Sequence, residues 1–220
     1  MALRGWSTSN YLRLASGLVT APPFSMAVWA KTSITGSIQV MMGLFTSSAS
    51  LGQNTQQLRV NSSNGIDAMS NNTGTSATAS TSTTISANTW FHACGVWAST
   101  TSRAAYLNGG GKGTDTTSKT NTPNRTSIGV DDGSSAGRAF APAGTGDIAW
   151  PALWNIALSD ADVASLAAGA DPREIRPDAL VFFAPLLVTG TQPNLVSASN
   201  VMSTIGSLTL ADSIPIFMAH

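Results

Sequence analysis

His92 and Cys94 stand two positions apart in the apolar run WFHACGVW, residues 90–97. Residues i and i+2 of a strand share a face, so a thiol and an imidazole would sit side by side, as a nucleophile and its general base do. Such a pair works only where a positive charge or a helix N-terminus holds the thiol as thiolate, and the flanking residues supply neither. A buried small hydrophobe for Cys94 and an ordinary strand residue for His92 are the plainer expectation. A second candidate is Asp131-Asp132-Gly133, whose carboxylates lie in a Gly/Ser loop of the kind that hard cations use. Asp147 would join them if the strands are neighbours, although adjacent aspartates in a loop also serve simply as turn formers. The third group is six tryptophans. Trp29, Trp90 and Trp154 fall in regular strands and are expected in a core. Trp6 and Trp150 are less well placed for burial. Large aromatic anchors favour contact surfaces, so Trp6 is expected at an interface and Trp150, with Asp131 and Asp132, at a ligand.

These side chains need a scaffold, and its surface is unusual. Of 220 residues only 10% are charged, 11 basic and 11 acidic, for a formal net charge of zero. Ordinary soluble domains carry about 25%. Ser, Thr, Asn and Gly must therefore cover the protein, and such a skin has little long-range field. Nucleic acid and anionic membrane surfaces are not expected as partners. Low net charge also protects weakly against self-association, which suits a subunit packed among neighbours. One cysteine cannot form an internal disulfide. The start, MALRGWSTSNYL, has no charged region followed by an apolar run, so no signal peptide is expected. No stretch approaches about 20 apolar residues, so no membrane span is expected.

The elements read mostly as short strands. Residues 24–31 place Phe24, Met26, Val28 and Ala30 on one face and Ser25, Ala27, Trp29 and Lys31 on the other. Both faces carry apolar groups, which marks an inner strand. Further strands are expected at residues 11–14, 38–46, 57–60, 66–70, 75–80, 90–98, 103–108 and 125–130, with Asn64-Gly65 as a hairpin turn. Residues 108–111 read as a glycine turn, 112–124 as polar loop and strand, and 131–137 as a loop. One helix is expected at residues 160–168, where Ser159 and Asp162 form a capping box and Gly169 stands at the C-cap. Strands at residues 179–188, 200–203 and 207–211 follow, then an apolar end containing Ile216 and Phe217. The pattern predicts one all-β domain over residues 1–220, a two-sheet antiparallel jelly-roll sandwich with one short helix. Residues 171–220 would close the sandwich or contact a neighbouring subunit, with Ile216 and Phe217 as interface residues.

Several motifs recur in an order that resembles a known family. They are Tyr11-Leu12, Phe24-Ser25-Met26-Ala27-Val28-Trp29, Asn88-Thr89-Trp90-Phe91-His92, Ala105-Tyr106-Leu107-Asn108-Gly109 and Gly146-Asp147-Ile148 with Leu158-Ser159-Asp160-Ala161-Asp162-Val163. Over residues 8–170 the chain resembles the laminin-G-like, concanavalin A-like lectin/glucanase superfamily. The segment Ile175-Arg176-Pro177-Asp178-Ala179-Leu180-Val181 is similar to a subgroup found in bacteriophage and prophage reading frames. Glycosidases resembling one another in this superfamily carry a pair of glutamates flanking an aspartate, because the reaction needs two facing carboxylates. This chain has one glutamate, Glu174. The resemblance therefore implies no enzyme and no catalytic residue. It leaves calcium at a rim loop, at Asp131 and Asp132, as the sole cofactor to consider.

The fold itself does not fix a ligand. The expectation is a non-enzymatic virion structural protein, in capsid decoration, a head fibre or a tail, with a lectin-like fold displayed on the particle. Its partners would be other virion proteins, further copies of itself and glycans. The alternative is a soluble carbohydrate-binding or adhesion module.

Overall fold

The computed structural model describes residues 1–141, 144–212 and 214. In chain order the strands are β1 (Ala2–Arg4), β2 (Tyr11–Leu14), β3 (Phe24–Thr32), β4 (Gln39–Phe45), β5 (Thr55–Val60), β6 (Ile66–Asn72), β7 (Thr75–Ser80), β8 (Phe91–Ser99) and β9 (Ser102–Leu107). Then come β10 (Gly110–Asp115), β11 (Arg125–Ile128), β12 (Asp131–Asp132), β13 (Ala136–Gly137) and β14 (Gly146–Trp154). The helix α1 (Asp160–Ala167) precedes β15 (Leu180–Phe183), β16 (Ser203–Ile205) and β17 (Thr209–Ala211). No helix among the described residues is long and apolar enough to cross a membrane.

Two antiparallel sheets face each other. The first, sheet A, runs β10-β9-β8-β3-β14-β1-β17, with β15 beside the second half of β14. The second, sheet B, runs β16-β2-β11-β4-β5-β6-β7. This is the jelly-roll sandwich with a single helix that the strand pattern predicts.

Alternation sorts side chains between the core and the outside. Phe24, Met26, Val28 and Ala30 of β3 meet Phe91, Ala93 and Trp97 of β8 and Leu58, Val60, Ile66 and Ala68 of sheet B in one apolar cluster. Trp97 stacks on Phe24 with ring centroids 4.8 Å apart. Its indole N–H donates to Ser70 Oγ at 2.9 Å, so the buried ring leaves no donor unpaired.

The other face of sheet A is apolar as well, and α1 covers half of it. Ser159 and Asp162 complete the capping box, and Gly169 follows at φ +99°, where a side chain would be strained. Val163 and Leu166 then pack on Ala27, Cys94, Val96, Ala104, Tyr106, Ala152 and Trp154.

Four expectations need correcting. Trp6 does not face a neighbour, because it is fully buried. Its indole N–H donates to Leu3 O at 2.9 Å, and the ring fills the space that a Cβ at Gly129 would need. The apolar run 179–188 gives a strand only over Leu180–Phe183, since Pro185 has no N–H to continue a ladder. Strand β10 begins at Gly110, inside the stretch expected as a glycine turn. A Cβ at Gly113 would collide with the Ser80 carbonyl, so glycine there permits β10 to approach β7. Residues 131–137 are a small hairpin in which Asp131 pairs with Gly137. Ile216 and Phe217 lie outside the described residues.

Candidate functional site

The half of sheet A's outer face that α1 leaves open is built by strand register. Lys31 of β3 is opposite Asp147 of β14, which is opposite Arg4 of β1. One step along, His92 of β8 is opposite Trp29, and Trp29 is opposite Ala149. Ala2 of β1 is opposite Ala211 of β17. Trp90 enters beside Lys31, whose ammonium sits 5.3 Å from the indole centroid.

Trp150 reaches the same area through a bulge. The register of β14 against β3 shifts between Ala149 and Ala152, and Trp150 takes φ +53°. A bulky residue rarely adopts that conformation, and bulges of this kind re-aim a side chain. Here the ring turns edge-on to Phe183, centroids 6.0 Å apart. Trp29, Trp90 and Trp150 are all half-buried and all pack around Ala2, Ala149 and Ile214. Three indoles thus surround one apolar floor of two alanines and an isoleucine.

One edge of this aromatic patch is polar. Asp147 is fully buried and accepts from Arg4 Nε at 2.6 Å and Nη2 at 3.0 Å, and it lies 3.0 Å from Lys31 Nζ. Burial pushes its carboxyl up, but Arg4 and Lys31 outweigh that and hold it below the usual carboxylate value. One carboxylate facing two cations leaves donors available to a ligand's oxygens.

His92 lies at the opposite edge, its ring 5.4 Å from that of Trp29. It is 2% exposed, and its Nδ1 has no hydrogen-bond partner. Burial lowers its pKa to about 3. Cys94, fully buried beneath α1, is pushed up by burial. A neutral imidazole beside a protonated thiol is the reverse of an activated pair. Two measurements follow. Cys94 should resist an aromatic disulfide reagent in the native protein and react at once in denaturant. Rapid native labelling would contradict its burial.

The second measurement concerns acid. The folded pKa of His92 lies below the ordinary 6.5, so the unfolded chain takes the proton first. The neutral imidazole's contribution is complete above pH 6.5 and is lost as pH falls from there toward 3. Between pH 7 and 5 the loss is about 2 kcal/mol. Urea midpoints at the two pH values check this, and His92→Phe should remove most of the slope.

Asp131 and Asp132 are not exposed ligands. Both are fully buried under the outer face of sheet B. Asp132 accepts from Arg13 at 2.8 and 2.6 Å, Arg125 at 3.2 Å and Ser127 Oγ at 2.5 Å. Asp131 accepts from Arg138 at 3.1 Å. Its pKa is raised, burial outweighing the influence of Gln57, Arg138 and Gly52. Three arginines occupy the space that a cation would take, and Asp147 lies on the other sheet with its own partners. No cluster of three or more His, Cys, Asp or Glu among the described residues is arranged to hold a metal. Glu174, the one glutamate of the chain, stands exposed in a short 3-10 turn.

A cavity of about 230 Å³ opens where β8, β9 and β10 meet the start of α1, lined by Tyr106, Lys112, Asp115 and Asp160 among others. Its charges are already matched. Lys112 lies 2.8 Å from Asp160, and Arg103 pairs with Asp115. The tryptophan patch, whose rings are half-open, is the stronger candidate.

From the sequence Trp29 and Trp90 are expected in the core, and of these three indoles Trp150 alone is expected at a ligand. A signal was present: Trp29 and Lys31 alternate away from Phe24, Met26, Val28 and Ala30, so Trp29 had to face outward. Trp154, by contrast, is fully buried, with its N–H on Ile175 O at 2.7 Å.

A family model described as the concanavalin A-like lectin/glucanases superfamily matches residues 7–164. No curated protein matches in sequence. Solved structures are similar in fold at low identity. A heptameric SAP-like pentraxin from Limulus polyphemus is 19% identical with a TM-score of 0.56, over 73% of this chain and 77% of that one. A putative carbohydrate-binding protein from Bacteroides ovatus is 14% identical with a TM-score of 0.65, over 98% of this chain and 62% of that one. The enzymatically active domain of bacteriophage CBA120 tailspike protein 2 is 14% identical with a TM-score of 0.54, over 76% of this chain and 27% of that one.

Proposed function

The chain belongs to the concanavalin A-like lectin/glucanase superfamily, and from that premise we propose that it is a non-enzymatic glycan-binding module whose contact surface is the patch of Trp29, Trp90 and Trp150. The observation that carries this reading is three half-buried indoles packed around Ala2, Ala149 and Ile214. Sugar rings present apolar C–H faces and a polar rim. Convergent aromatic surface with a few placed polar groups is how such ligands are held. Lys31, Arg4 and Asp147 provide the polar groups. Because the chain is neutral overall, binding should change little between low and physiological salt.

A glycan array tests this, followed by titration of the best hit against tryptophan fluorescence. Binding that quenches emission and survives moderate salt supports the reading. No hit at high protein concentration, or a hit whose binding leaves fluorescence unchanged, defeats it.

We place the module on a bacteriophage particle as a structural, decoration or tail-associated protein. Three observations support that setting. Residues 175–181 resemble a phage and prophage subgroup, part of a phage tailspike domain is similar in fold, and only 10% of the residues are charged. The binding reading and the virion reading are compatible, since a particle protein with this fold can present a sugar-binding face. Mass spectrometry of purified particles from a host that carries the gene checks the setting, and its absence from every particle preparation would remove it.

A further inference from the structure

Residues 179–211 contain no charged side chain, although 22 charged residues are spread over the rest of the chain up to Asp178 and again at Asp212. The structure gives this silence a location. The segment supplies β16, the edge strand of sheet B, and β17, the edge strand of sheet A. Only residues 206–208 separate the two strands. Three residues span about 10 Å, which is the spacing of packed sheets, so both edges lie on one side wall of the sandwich. Residues 165–211 fall outside the part of the chain that the family model matches.

That wall is apolar as well as uncharged. Among the described residues, six of nine exposed large apolar side chains belong to this segment: Leu187, Val188, Leu195, Val196, Val201 and Leu210, each 38 to 49% exposed. The segment is tied to the edge strands, since Gln192 pairs with Met202 just before β16. Sheet edges are normally guarded by charge, since unpaired N–H and C=O groups invite another strand. The opposite edge of sheet A obeys this, because β10 carries Lys112 and Asp115. Neither β16 nor β17 carries a charged residue, and the nearest is Asp212, just past the end of β17.

We propose that this side wall is a self-association surface and that its occupant is a second copy of the same chain. An uncharged face offers no charge pattern for a differently charged partner to complement, whereas two copies of it match each other. An isologous contact across a two-fold axis would let β17 of each copy face its counterpart antiparallel. The chain's zero net charge adds no repulsion between copies.

Sedimentation velocity of the full chain from about 1 to 100 µM reads the outcome. The expected result is a concentration-dependent shift from the 22.6 kDa chain to twice that mass. The double variant Val201→Lys with Leu210→Lys should remain at the single-chain mass throughout. Leu51→Lys, at an exposed apolar residue elsewhere, should dimerise as the parent does. Thermal melts of the variants confirm folding, and slowed hydrogen exchange in residues 201–211 at high concentration locates the contact in the unmodified protein. The parent chain staying monomeric at about 100 µM overturns the proposal. So does a dimer that the double lysine variant leaves intact.

Discussion

Asp132→Ala is expected to lower unfolding free energy by about 3–5 kcal/mol, among the largest single-residue effects in this chain. The Asp132 carboxylate has no solvent access and accepts from Arg13, Arg125 and Ser127 at once. The three donors come from β2 and β11, two neighbouring strands of sheet B. Alanine removes the acceptor and leaves two guanidinium groups facing each other beneath the hairpin of β12 and β13. Each was held in place by a charge that is gone, and neither regains full hydration. Urea unfolding at neutral pH measures the loss. Adding calcium should restore nothing, because the arginines remain where a cation would have to sit. A variant as stable as the parent would mean that the hairpin is not pinned through this carboxylate.

Trp29→Ala is the matching test of function. Central aromatic residues of a binding surface cost about 2 kcal/mol or more when truncated, which is roughly thirtyfold in Kd. Trp29 sits between His92 and Ala149 in the register of the sheet, directly beside the floor of the patch, so its loss should affect affinity most. Trp90→Ala should cost less, because its ring lies at the margin under Lys31. Trp29→Phe should recover part of the affinity, since a smaller ring still stacks. Circular dichroism must show the variants folded, and the hit from the glycan array is the ligand titrated. Equal loss in all three variants would point to general loosening of this face of sheet A instead of a lost stacking partner.

Much of the fold was legible because the chain alternates so regularly. The faces of residues 24–31 and the capping box at Ser159 and Asp162 are local signals, and local signals survive folding. What failed was information held between distant residues. Trp6 follows a glycine in a short polar stretch, and nothing nearby shows that Gly129 leaves a slot for its ring. Asp131 and Asp132 look like a solvated turn until Arg13, Arg125 and Arg138 arrive from 7 to 119 positions away. The patch was half visible. Trp150 stood out by its place next to proline, whereas Trp29 and Trp90 were assigned to the core because their strands are regular. A strand in a sandwich has an outer face, and on sheet A that face is apolar too.

The pairing of β1 with β17 sets how the module would carry a load. Ala2 lies opposite Ala211 and Arg4 opposite Thr209, so the first and last strands meet at one corner of sheet A. Tension applied through the two ends would pull this ladder apart one rung at a time, as a zipper opens. Strands pulled lengthwise against each other would instead have to break all their hydrogen bonds together. The sandwich should therefore yield first at β17 and at low force. A module tethered at one end and gripping a sugar by its tryptophan face would spare that seam, because the load would then run through β3 and β14 in the middle of the sheet.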